Sequence, residues 1–125
     1  MRRQISITLA SILLLVVGIS SVSAHTDLIN SNLRANATVV QFPKEISLTF
    51  GNSLLVLGKR LINFVQVINP TGEIISSDNN RVHGSILSNT LSLKRVVVGK
   101  YRVVYRVVAG DGHVVKGGFL FYVKK

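Results

Sequence analysis

Residues 100–123 read KYRVVYRVVAGDGHVVKGGFLFYV, and apolar side chains recur at every second position on both sides of a glycine-rich centre. Strands place alternate side chains on opposite faces, so this period predicts two β-strands, each with a buried face. The side chains predicted to be buried are Tyr101, Val103, Tyr105, Val107, Phe119, Phe121 and Val123. The same alternation occurs at Ile46, Leu48 and Phe50, whereas residues 61–68 are apolar on both faces, as a central strand would be.

Turn residues separate these runs at intervals of roughly ten residues, as in a two-sheet sandwich. They include Asn69–Gly72, Asp78–Asn80, Gly99 and Gly110. The pattern predicts an all-β chain with one antiparallel Greek-key β-sandwich, Ig-like or cupredoxin-like, of about seven strands. Because the chain lacks the cysteine and tryptophan hallmarks of antibody domains, only the architecture is predicted and not that family.

The first 24 residues have the features of a secretory signal peptide. Arg2 and Arg3 precede the uncharged, mostly apolar run Ile5–Ile19. Val22-Ser23-Ala24 then places small or compact residues at the −3 and −1 positions of a cleavage site. An uncleaved anchor is less favoured because the run is shorter than the roughly 20 residues that span a bilayer. We therefore expect export, with residues 1–24 as the signal peptide and 25–125 as the mature domain.

The composition restricts the chemistry of the mature domain. Without cysteine it has no disulfide, thiolate metal site or cysteine nucleophile, so any metal must bind nitrogen and oxygen. Loss of two arginines with the signal peptide lowers the formal net charge from +10 to +8. The stripe formed by Lys100, Arg102 and Arg106 is interpreted as a solvated sheet face, because no aromatic residue of that strand shares that face as a stacking platform would require. We expect no nucleic-acid partner, while contact with an anionic membrane surface stays open.

Cleavage after Ala24 would make His25 the new N-terminus. A terminal histidine offers its α-amine and its imidazole from one residue, which closes a chelate ring on a metal ion. The reference pKa of an α-amine is about 7.7–8.0, so a metal displaces its proton near neutral pH at modest cost. The bland alternative is a solvated, frayed chain end.

A second pair of donors is Asp111 and His113, which follow Gly110 at the start of the last predicted strand. Alternation places both on the same face, so a carboxylate and an imidazole can approach one ion. With the terminal amine and imidazole, this donor set matches the tetragonal nitrogen and oxygen preference of Cu(II), which binds such ligands more tightly than nickel or zinc. In the alternative interpretation, Asp-Gly-His is a turn in which Asp111 caps backbone amides.

At these residues the sequence resembles the CopC-type copper-binding proteins of the bacterial periplasm, over essentially the whole mature chain. The matching segments are Ala24-His25, residues 43–50 (PKEISLTF), residues 105–113 (YRVVAGDGH) and residues 117–119 (GGF). The resemblance implies a small β-sandwich that holds one Cu(II) per mature chain through His25, Asp111 and His113. It also implies a periplasmic location and an inner-membrane copper transporter of the CopD type as partner.

The chain departs from the family pattern at two places. Gly51-Asn52 stands where many members have Ser-Glu, so an acidic group near copper is missing. The one methionine is Met1, which leaves with the signal peptide, so we expect no thioether Cu(I) site. His83 is far from the other donors in sequence and is interpreted as a surface or edge-strand histidine, outside the site.

The favoured function is a monomeric, non-enzymatic protein that sequesters Cu(II) or delivers it to the transporter. One alternative is a metal-free sandwich domain for adhesion or protein interaction. A less favoured alternative is a copper oxidative enzyme that cleaves polysaccharides. Two features argue against it: Asp111 would fill a coordination position that oxygen needs, and the mature chain has no tryptophan to stack on a sugar.

Overall fold

The structure is a computed structural model that describes residues 27–94 and 96–125. Its strands are β1 (Leu28–Ser31), β2 (Thr38–Val39), β3 (Glu45–Phe50), β4 (Phe64–Ile68), β5 (Arg81–His83), β6 (Ile86–Thr90), β7 (Gly99–Val108) and β8 (Val114–Val123). No helix capable of crossing a membrane occurs in these two ranges. The predicted signal peptide, residues 1–24, lies outside the described residues.

The eight strands form two four-stranded sheets, as the all-β sandwich prediction requires. One sheet has the order β1-β3-β6-β5 and the other has the order β2-β8-β7-β4. Neighbouring strands are antiparallel except β2, which pairs with β8 in parallel. The predicted count of about seven strands differs by one from the eight observed, and the two-residue β2 is the shortest of them.

The predicted inward faces form the core between the two sheets. The side chains with no more than 9% exposure on these faces are Ile46, Leu48, Phe50, Tyr101, Val103, Tyr105, Val107, Phe121 and Val123. Phe119 is partly buried and packs against this core. The hydroxyl of Tyr101 donates to the Val97 carbonyl at 2.7 Å and accepts the Val97 N–H at 2.9 Å, so this large side chain is buried with its polar atom satisfied.

The prediction of a central strand over residues 61–68 is wrong in two respects. The strand begins only at Phe64, and Leu61 before it is 69% exposed. β4 also lies at the edge of its sheet: among the described residues β7 is its one partner strand, and an isolated bridge joins Ile68 to Ile74 on the other side. Its apolar composition reflects the inward burial of Val65 and Val67 rather than burial of both faces.

Polar side chains cap the outer edge of β4. The N–H of Val65 donates to Asn80 Oδ1, and the N–H of Val67 donates to Ser76 Oγ, both at 3.0 Å. Asn80 Oδ1 also accepts a hydrogen bond from the fully buried Asn89 on β6, at 2.9 Å. These bonds satisfy edge donors that would otherwise invite pairing with another chain, and they tie the two sheets together.

The side chain of Tyr105, opposite Gly117 in the ladder of β7 and β8, leaves no room for a side chain at Gly117. A Cβ there would lie 2.6 Å from the Cζ atom of Tyr105. We expect Gly117→Ala to reduce the free energy of unfolding by about 2 kcal/mol, because the buried tyrosine must move. Gly51→Ala is the control, since its Cβ would meet nothing closer than 3.8 Å. Urea denaturation of both variants tests this, and equal stabilities would contradict the expectation.

Candidate metal centre

The turn between β7 and β8 carries the predicted donors Asp111 and His113. The N–H of Ala109 donates to the His113 carbonyl, and the N–H of Gly112 donates to the Ala109 carbonyl, each at 2.8 Å. Gly112 has φ of 92°, the left-handed region that glycine adopts without a Cβ penalty. The turn is therefore the three-residue hairpin type that places glycine after two turn residues.

This turn corrects the sequence-based reason for the pairing. β8 begins at Val114, so Asp111 lies in the turn and not on a strand face. The reversal of the chain at Gly112, rather than strand alternation, brings Asp111 and His113 together. The two side chains are in direct contact in the structure.

Both side chains are engaged with each other at the protein surface. Asp111 Oδ2 lies 2.8 Å from His113 Nδ1, and Asp111 Oδ1 accepts the backbone N–H of His113 at 3.0 Å. The side chains of His113 and Asp111 are 67% and 47% exposed, respectively. The carboxylate thus caps the turn, as the bland interpretation held, and also contacts the imidazole.

The spacing of the two atoms suits a shared metal ion. Nitrogen and oxygen ligands lie about 2.0 Å from such an ion, so two ligands at right angles are about 2.8 Å apart. Without a metal, the contact between Nδ1 and the carboxylate is a hydrogen bond that engages the same two atoms. Within residues 27–94 and 96–125, no third histidine, cysteine or acidic side chain joins them in a metal-sized cluster.

The predicted third ligand, His25, lies outside the described residues. The chain two residues after it is fixed to the segment that follows β3, because the Asp27 carbonyl accepts the Gly51 N–H at 3.0 Å. Two residues further on, the Ser53 carbonyl accepts the N–H of Gly110, also at 3.0 Å. One short segment therefore contacts both the beginning of the described chain and the turn that carries the donors.

Tyr105 lies within electrostatic reach of Asp27. Burial raises the pKa of the Tyr105 hydroxyl, and the negative charge of Asp27 raises that pKa further. The ring packs edge-on against Phe50 at a centroid distance of 5.4 Å. A core residue thus connects electrostatically with Asp27, the first residue that the structure describes.

His83 behaves as an edge-strand residue, as its position in sequence suggested. It ends β5, the outer strand of its sheet, and is exposed. The next residue is closer to the candidate centre than the sequence indicated, because the Gly84 carbonyl accepts the N–H of Leu54 at 2.9 Å. His83 nevertheless forms no metal-sized cluster with the donors within the described ranges.

Sequence reasoning missed Asn63, which holds the backbone beside the candidate centre. Its side chain is 5% exposed, donates from Nδ2 to the Leu55 carbonyl and accepts the Val108 N–H on Oδ1, both at 2.7 Å. The signal was available, since Asn63 is a polar residue in an otherwise apolar run. A buried amide in such a run requires partners.

The fold and the turn define a class of small two-sheet sandwich proteins with an exposed carboxylate and imidazole pair at one end. A family model described as the CopC domain matches residues 28–124. The chain therefore belongs to the CopC family, as its sequence resemblance indicated.

Solved structures of two relatives share this fold. CopC from Methylosinus trichosporium OB3b has a TM-score of 0.67 and 24% identity, over 80% of this chain and 94% of that one. PcoC from Escherichia coli, a methionine-rich copper resistance protein, has a TM-score of 0.63 and 22% identity, over 81% of this chain and 100% of that one. Among curated proteins, none matches the chain.

The conformation of Gly112 yields a test of the turn. We expect Gly112→Ala to destabilise the protein by about 1–2 kcal/mol, because alanine is strained at positive φ. Gly110→Ala is the control, since the Cβ would lie 3.4 Å from the Ser53 carbonyl and φ is not in that region. Thermal unfolding measures the difference. A Gly112→Ala variant as stable as the control would refute the turn geometry.

Proposed function

We propose that this protein binds one Cu(II) ion per chain through His25, Asp111 and His113. The observation that carries the proposal is the 2.8 Å contact between Asp111 Oδ2 and His113 Nδ1 in an exposed turn of a CopC-family chain. Two donors alone bind weakly, so the proposal depends on His25 as the third ligand residue.

The position of Asp27 supports the role of His25. His25 precedes Asp27 by two residues, which span about 7 Å when extended. Asp27 is bonded to Gly51, and the same segment reaches the turn at Gly110. A cleaved N-terminus at His25 would supply an amine and an imidazole within reach of the carboxylate and imidazole in the turn.

The chemistry of these ligands favours Cu(II). Three nitrogens and one carboxylate oxygen suit a tetragonal Cu(II) site, and copper exceeds nickel and zinc in affinity for such ligands. Met1 is the only methionine, in contrast to the relative described as methionine-rich. After cleavage no thioether remains for Cu(I), so the protein holds copper in the oxidised state.

The cellular role that we propose is sequestration of Cu(II) or its delivery to an inner-membrane transporter of the CopD type. The signal-like residues 1–24 support a periplasmic location. An exposed site suits handover, because a partner can reach the ion without opening the sandwich. In this proposal the protein is a monomer. It is also not an oxidative enzyme, since Asp111 would fill a coordination position that oxygen chemistry needs open.

Substitution of the turn donors tests the copper site. We expect Asp111→Ala and His113→Ala each to weaken Cu(II) binding by more than about 100-fold, because each removes a direct ligand. Asp78→Ala and His83→Ala are matched controls at exposed positions and should bind as the parent does. Competitive titration measures the affinity, and electron paramagnetic resonance reports the number of coupled nitrogens. Unchanged affinity in either turn variant would rule out the proposed ligands.

Extension of the N-terminus tests the terminal chelate separately. One alanine placed before His25 converts its amine into an amide, so we expect a loss of affinity similar to that of the turn variants and fewer nitrogens coupled to copper. A His25→Ala variant, which keeps the amine, should retain more affinity than the extended His25→Ala chain. Equal binding by the extended and parent proteins would refute the role of the amine.

A further inference from the structure

The connection between β3 and β4 contains a projecting turn. The N–H of Arg60 donates to the Leu57 carbonyl at 3.0 Å, with Gly58 and Lys59 between them. We call residues 56–61 the apolar loop. It comes shortly after Leu54, which forms a bridge with Ala109. Ala109 begins the turn that carries Asp111 and His113, which we call the donor turn.

Three large apolar side chains of this loop face water. Val56 is 58% exposed, Leu57 is 46% exposed and Leu61 is 69% exposed. Single exposed apolar residues are ordinary, but a cluster of them indicates a surface that contacts something apolar. Leu61 also lines a mixed groove of about 640 Å³, in which Phe64 and Ile74 supply apolar surface. Its polar lining residues are Gln66, Ser76, Ser77, Asp78 and Asn80.

Both ends of the apolar loop are fixed to the sandwich. The N–H of Leu55 donates to the Val108 carbonyl at 2.8 Å, and the Leu55 carbonyl is bound by Asn63. Arg106 Nη1 donates to the Ile62 carbonyl at 2.8 Å. The apolar side chains are therefore exposed on a turn whose two ends are fixed by hydrogen bonds to the sandwich.

Positive charge accompanies these apolar side chains. Lys59 and Arg60 lie in the loop, and Arg106 is at its base. Lys116 lies opposite Arg106 in the ladder of β7 and β8. None of the five acidic residues of the chain lies between Leu54 and Asn63. Asp78 is the acidic residue on the neighbouring groove.

We propose that the apolar loop docks the protein onto an anionic lipid surface. Val56, Leu57 and Leu61 enter the boundary between headgroups and acyl chains, while Lys59 and Arg60 pair with lipid phosphates. Apolar and basic residues together are what reversible membrane contact requires, since either signal alone is weak. A six-residue turn offers far less than the roughly 800 Å² that each partner contributes to a stable protein interface, which favours lipid over an acidic protein.

Docking through this loop would also set the orientation of the candidate metal centre. The bridge between Leu54 and Ala109 places the loop and the donor turn at the same end of the sandwich. A docked protein would hold Asp111 and His113 close to the lipid surface. The docking itself involves no copper ligand, so it stands or fails independently of the proposed function.

The absence of tryptophan from the chain allows a direct test without copper. The exported protein is purified with Leu57→Trp or with Val40→Trp as the matched control. Val40 is 62% exposed and follows β2, which pairs with the other end of β8. Vesicles contain either phosphatidylcholine alone or equal parts of phosphatidylcholine and phosphatidylglycerol. We expect the tryptophan emission of the Leu57→Trp variant to shift to the blue and to be quenched by brominated acyl chains only with the anionic vesicles, while the control stays unchanged.

Charge variants test the second half of the proposal. Lys59→Gln with Arg60→Gln should weaken partition into anionic vesicles about 30-fold, because each cation near the surface contributes a factor of roughly five to six. Lys124→Gln with Lys125→Gln removes the same charge at the other end of β8 and should have a much smaller effect.

Several outcomes would overturn the proposal. These are equal losses in the two charge variants, a response of the Val40→Trp control instead of the loop variant, or no binding to either vesicle. A shift of the loop emission with polyglutamate but not with vesicles would assign the loop to an acidic protein and reject lipid.

Discussion

The pairing of β7 with β8 is the constraint on which the rest of the structure depends. Their ladder runs without a break from Gly99 opposite Val123 to Val108 opposite Val114. Every second side chain of β7 enters the core, so the register of this pair decides which residues the opposite sheet meets. The same ladder ends in the turn that brings Asp111 to His113. Core packing and donor placement therefore follow from one set of backbone hydrogen bonds.

The segment after β3 connects the end of this ladder to Asp27 and to the apolar loop. Between Gly51 and Leu55 its backbone bonds to Asp27, Gly110 and Val108 in turn. Asp27, the turn that carries Asp111 and His113, and the apolar loop thus converge on one end of the sandwich, although they are distant in sequence. A protein that exchanges a metal at a membrane needs its ligands and its docking surface at the same end, which is the arrangement we propose here.

Local patterns predicted the parts of the fold that depend on neighbouring residues. The alternation at Ile46, Leu48 and Phe50 identified an inward face because the period of a strand is set by backbone geometry alone. The same reasoning failed for residues 61–68, since an edge strand capped by Asn80 and a central strand both carry apolar runs. The backbone N–H groups of β4 can bond either to another strand or to side chains, and segments distant in sequence decide which.

The sequence by itself determined the all-β class, the two-sheet architecture and the family, and it singled out Asp111 and His113 in the turn as candidate ligands. The reason is that strand period, turn residues and the Asp-Gly-His segment are local properties. Only the tertiary structure decided that a reversal at Gly112 joins Asp111 to His113, that β4 lies at an edge, and that Asn63 holds the backbone beside the candidate centre. It also placed the apolar loop beside the donor turn, because hydrogen bonds between distant segments select one arrangement among many that the local pattern allows.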